Sequence, residues 1–127
     1  MKRGLTLAEL MIAAFITVFS VSAILLLFMN CIFMNTASRN TTIATSHAQY
    51  ALEEIRNTPF ASIPGTWNGA TWDSAVVQSK GLSALDSEII YIYATSTDPI
   101  QVTVTVNWDD DGVRARSITL ETLIANY

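Results

Sequence analysis

The chain has 127 residues, a formal net charge of −4 and a single cysteine. That acidic balance argues against a nucleic-acid surface, which needs clustered Lys and Arg, and one cysteine excludes an intramolecular disulfide. Half of the residues are hydrophobic, but many of them fall in one N-terminal run, which leaves enough chain for one small domain.

The opening Met1-Lys2-Arg3-Gly4 is basic. From Leu10 to Met34 no side chain is charged and neither Pro nor Gly interrupts. As an α-helix this run extends roughly 37 Å at 1.5 Å per residue, enough to cross a hydrocarbon core of about 30 Å. Its polar members, Thr17, Ser20, Ser22 and Asn30, are small, and the hydroxyls can bond to the preceding turn. Lys2 and Arg3 precede the run and no charge follows until Arg39. The positive-inside bias therefore predicts a single pass with the N-terminus cytoplasmic and the remainder outside. A secretory signal would have a shorter apolar region followed by a small-residue cleavage site, and the run shows neither. Cys31, within it, reads as a small apolar filler or as one half of a bridge between subunits.

Glu9 stands at the mouth of this run, five residues after Gly4. A charged group deep in lipid costs roughly 3 kcal/mol on insertion scales, and less at the rim. If the helix leaves lipid and packs against copies of itself, the acid needs a cation. The nearby candidates are Lys2, Arg3 or a new amino terminus. A cut after Gly4 would remove both basic residues and leave an amine at Leu5, a suitable partner for Glu9 of a neighbouring copy.

Gly4, Leu5, Thr6, Leu7 and Glu9 together resemble the type IV prepilin signal, in which a short basic leader ends in glycine and an acid lies fifth in the mature chain. The resemblance covers about the first third of the chain. It implies cleavage after Gly4 by a membrane prepilin peptidase, methylation of the new amine on Leu5, and assembly into a helical filament. Two positions depart from the family pattern: Leu5 stands where the first mature residue is usually phenylalanine, and Leu26 where the apolar helix frequently carries proline. The family's common C-terminal disulfide is excluded by the lone cysteine.

Beyond Met34 the chain turns polar, but no Pro or Gly appears before Pro59. Ala44, Ala48, Ala51, Leu52 and Ile55 recur at helical spacing. The pattern predicts one helix from about Thr6 to Asn57, membrane-spanning in its first half and amphipathic in its second, ended by Pro59 with Thr58 extended. The segment Gln49 to Arg56 resembles the corresponding helix of minor pilins and of the I-type minor pseudopilins of type II secretion.

Phe60 to about Asp86 reads as a loop-rich connection with turn signals at Pro64-Gly65, Asn68-Gly69 and Lys80-Gly81, and a short strand over Thr71 to Gln78. Trp67 and Trp72 read as lids over a small core or as a partner-binding feature. Glu88 to Thr95 is β-branched and aromatic on both faces, which predicts a central strand. Val102, Val104, Val106 and Trp108 then alternate with polar residues, a half-buried strand. Asp109-Asp110-Asp111-Gly112 predicts a turn, and Val113 to Ala125 the returning strand, with Ile118, Leu120 and Ile124 on one face. The valine face should meet the amphipathic helix half.

No catalytic set emerges. His47, the lone histidine, reads as a helical surface or packing residue. Three consecutive aspartates lack the EF-hand spacing, so no metal site is expected, and no cofactor. Arg114 and Arg116 should pair with the acidic turn or with solvent, where such pairs contribute little. No phosphate-binding loop or Ser-His-Asp constellation can be assembled.

The expectation is thus an α+β, pilin-like fold: a long N-terminal α-helix packed on a small antiparallel β-sheet. Its parts are a cleaved leader at 1–4, a transmembrane or filament-core helix half at 5–34, an amphipathic half at 35–58, and loops with a C-terminal sheet at 59–127. The resemblance implies a minor pilin or minor pseudopilin, not an enzyme, held in the bacterial inner membrane before assembly. Its processing residues would be Gly4 and Leu5, and Glu9 its register residue. The partners implied are other pilin or pseudopilin subunits, prepilin peptidase/methyltransferase, an inner-membrane assembly platform and the membrane, with no nucleic acid. The alternative is a single-pass anchored extracytoplasmic binding or adhesin domain that forms no filament.

Overall fold

The computed structural model of the chain describes residues 6–110, 112 and 114–126. The chain is α+β and divides into two compact units, one ending at Thr36 and the other spanning Ala37–Tyr127. Helix α1, Leu7–Arg56, runs for 50 residues, within one residue of the predicted ends. Nothing in its sequence breaks it: no Pro or Gly occurs between Leu7 and Arg56. After Arg56 the amides of Asn57 and Thr58 still bond to Glu53 and Ile55, and Pro59, which cannot donate, closes the helix.

In the second unit the sheet has the order β1-β2-β3-β4, every neighbouring pair antiparallel. Its strands are β1 (Ala70–Asp73), β2 (Ile89–Ala94), β3 (Ile100–Asp110) and β4 (Arg114–Ile124). Alternation along each strand sends one set of side chains to the core: Ile90, Ile92 and Ala94 from β2, and Ile100, Val102, Val104, Val106 and Trp108 from β3. They meet Ala44, Ala48, Ala51, Leu52 and Ile55 of α1, so the predicted meeting of valine face and helix stripe is what forms the core. Ile118, Leu120 and Ile124 of β4 are half-buried against it.

Three expectations need correction. The 60–86 connection is largely structured. A single 3-10 turn at Phe60–Ser62 leads into α2 (Ile63–Trp67), then β1, then α3 (Ser74–Ser79). Pro64-Gly65 is therefore not a turn; Pro64 sits in the first turn of α2, where its missing N–H costs nothing. Of the short strand expected over Thr71 to Gln78 only the start is strand: β1 ends where Asp73 caps α3 by accepting from the amide of Val76, and Ser74–Ser79 is helix. Secondly, β2 is central as expected but buries one face only; Ile89, Tyr91 and Tyr93 lie on the open face.

Thirdly, β3 continues through Asp109 and Asp110, so the turn is shorter than four residues. Within it Asp111 and Val113 lie outside the described residues, and Gly112 has φ +66°, which glycine adopts without strain. Arg116 pairs through its Nε with Asp110 of the acidic stretch, as expected, and Asp110 is buried.

Trp67 and Trp72 are lids. Their rings meet edge to face at 6.0 Å, Tyr50 adds a second edge contact to Trp72, and the Lys80 ammonium lies 4.3 Å from the Trp72 ring centre. Lys80 also donates to both oxygens of Glu54, which ties α3 to α1.

Candidate functional site at the entry to the apolar helix

Every large apolar side chain from Leu7 to Met34 is 50–77 % exposed. An apolar surface this continuous marks a membrane or protein contact in any folded protein. The helix is long and apolar enough to cross a membrane. Its few polar groups are satisfied from within: Thr17, Ser20 and Ser22 each donate to the carbonyl four residues back at 2.8 Å, and the Asn30 amide donates to that of Leu26 at 3.0 Å. A span of this kind asks lipid to solvate no free hydroxyl.

Thr6 and Glu9 close the N-terminal end together. One carboxylate oxygen of Glu9 accepts from the Thr6 amide at 2.9 Å and from the Thr6 hydroxyl at 2.8 Å, and the Glu9 amide lies 3.3 Å from the Thr6 hydroxyl oxygen. This is a capping box, in which the residue at the start of a helix and an acid three positions on satisfy each other's backbone. The Thr-x-x-Glu spacing that announces it is present in the sequence. The acid therefore has a local duty as a cap, and one oxygen remains for a second partner. Gly4 and Leu5, the predicted processing residues, lie outside the described residues. Cys31 is exposed on the helix.

Two polar links lie inside the second unit, and the second contains the expected pairing of Arg116 with the acidic stretch. His47 is buried, and its Nδ1 lies 2.7 Å from Glu88 Oε1, a carboxylate with no exposed surface. The other Glu88 oxygen accepts from the Leu85 amide at 2.8 Å. The pair thus joins α1 to the segment entering β2, across 41 positions of sequence. Second, Asp110 accepts from the Asn40 amide at 2.7 Å and from the Trp108 indole N–H at 3.1 Å, and contacts Arg116. The Asn40 hydrogen bond, with those of Trp108 and Arg116, holds the Asp110 carboxyl below the usual range against the opposing effect of burial.

No group of three or more His, Cys, Asp or Glu side chains suited to a metal ion occurs among the described residues. The first unit thus offers an exposed apolar helix capped by an acid, and the second a helix segment packed on an antiparallel sheet. Comparison with protein-family models, curated proteins and solved structures gives no match.

Proposed function

We propose that the chain is a minor pilin or minor pseudopilin, a structural subunit of a type IV pilus or type II secretion pseudopilus, with no enzymatic activity of its own. The observation that carries this reading is a charge-free, fully exposed helix with one acid at its entry, continued by an amphipathic segment that packs on an antiparallel sheet. Prepilin peptidase removes residues 1–4 and the amine of Leu5 is its second product. The apolar half of α1 waits in the inner membrane, with the domain on the far side, and is then drawn out to pack against neighbouring subunits.

In lipid, Thr6 supports Glu9. Thr6 stays with the mature chain after the cut, so the capping box survives processing. In the assembled state the free oxygen of Glu9 meets the Leu5 amine of the next subunit. Lipid and helix surfaces are equally apolar, so burial alone barely favours that transfer; close packing and the paired acid set the register.

The test is mass spectrometry of the N-terminus in cells with a working prepilin peptidase. A mature chain starting at Leu5 is expected. An intact Met1 would instead favour an anchored binding or adhesin domain that forms no filament. Glu9→Ala should insert and be cleaved but assemble poorly, and normal incorporation would remove the proposed pairing.

A further inference from the structure

The charge-free run of α1 holds Thr17, Ser20, Ser22 and Asn30, and bonding within the helix does not satisfy them equally. Each hydroxyl spends its one proton on the carbonyl four residues back. A carboxamide has two N–H donors and a carbonyl oxygen. Asn30 uses one donor, on the Leu26 carbonyl at 3.0 Å, its one hydrogen bond among the described residues. An N–H and Oδ1 remain, on an exposed side chain. Asn30 lies eight residues beyond Ser22, the middle of the run from Leu10 to Met34. That is about 12 Å along the helix, inside a hydrocarbon half-thickness of about 15 Å, where lipid tails offer no partner. We propose that, while held in the membrane, α1 pairs side by side with α1 of a second copy in the same orientation, the two Asn30 carboxamides bonded to each other.

Depth and chemistry select this occupant. The complement of a half-used carboxamide is a group at the same depth that both donates and accepts. The hydroxyls of α1 have no donor left to give. A second copy inserted in the same sense brings its own Asn30 to that depth with no shift, and the free N–H of each meets Oδ1 of the other. Bonds of this kind draw spanning helices together where apolar burial does not, and a single Asn on a helical seam fixes register and strand number. The face around Asn30 carries Ala23, Leu26 and Phe33, all exposed.

Pairing at Asn30 has no stagger. Glu9 meeting the Leu5 amine of the next subunit asks instead for a shift of four residues, about 6 Å. The pair therefore belongs to the membrane-held state and parts before assembly, a step that rests on the anchoring and assembly proposed above.

The test uses the full chain with Cys31→Ala, in phosphatidylcholine vesicles and in the cell membrane, with single cysteines oxidised by a lipid-soluble reagent. Ala23→Cys, Leu26→Cys and Phe33→Cys, within about 60° of Asn30 around the helix, should give disulfide dimers. Ile32→Cys, roughly 200° round, should not. Adding Asn30→Leu should lower the dimer yield about tenfold, whereas Asn30→Gln, which keeps the carboxamide, should retain it. Asn30→Leu only makes the run more apolar, so it does not impair insertion. Full yield with Asn30→Leu, equal yield from Ile32→Cys, or monomer from every position overturns the pairing. So does a cross-link in cells to a different protein in place of the dimer. Alkaline carbonate extraction of the same samples keeps the two readings apart: a chain released from the membrane sinks the anchoring, whereas a retained chain that stays monomeric sinks only the pairing.

Discussion

The buried His47–Glu88 pair shows how one contact can hold two distant segments together. Removing one partner from a buried ion or hydrogen-bonded pair leaves the other without compensation, at a cost of about 3–5 kcal/mol. His47→Ala and Glu88→Ala should each lower the urea midpoint followed by fluorescence of Trp72 and Trp108, both buried in the core. The double variant should be less destabilised than the sum of the two. Asp110 gives a pH signature. Its carboxyl titrates below the usual aspartate value of about 4, first because Asn40 donates to it. A group whose native pKa is lowered stabilises the fold fully above its unfolded value and loses that contribution as pH falls through the native one. Stability should therefore decline on acidification below about pH 4, and Asp110→Asn or Asn40→Ala should flatten that decline in urea titrations repeated at several pH values.

Each half of α1 is shaped by a different demand. At its start, the capping box and the charge of Glu9 can be separated. Glu9→Gln retains a side chain able to accept from Thr6 and should insert normally while assembling as poorly as Glu9→Ala; Thr6→Ala should weaken the helix start by about 1 kcal/mol yet leave assembly nearly intact. Comparing membrane fractionation with subunit recovery in sheared filaments checks both. Further along, Ala44, Ala48 and Ala51 have no exposed surface, so their small size sets how closely the helix approaches the valines of β3. Ala48→Leu should cost about 1–3 kcal/mol through overpacking, read from the same urea midpoint. Ala13→Leu, on the fully exposed segment, should leave that midpoint unchanged.

The hydrophobic core lies wholly within the unit beginning at Ala37. A fragment of residues 37–127 should accordingly remain soluble and unfold cooperatively with a near-native circular dichroism spectrum; aggregation or a non-cooperative melt would mean that the apolar segment contributes to folding. By itself the sequence determined the long helix, the change from apolar to amphipathic along it, and the β3–β4 hairpin, because each is written in a local period of 3.6 or 2 residues that needs no distant partner. Tertiary structure decided the rest. Glu88 is buried because His47 lies against it, Asp110 extends β3 because Asn40, Trp108 and Arg116 receive its carboxylate, and the 60–86 segment folds into short elements because Ile63, Trp72 and Val77 reach a core built elsewhere. Such contacts join residues far apart in the chain, and the free energy that selects them exists only once the helix and the sheet have met.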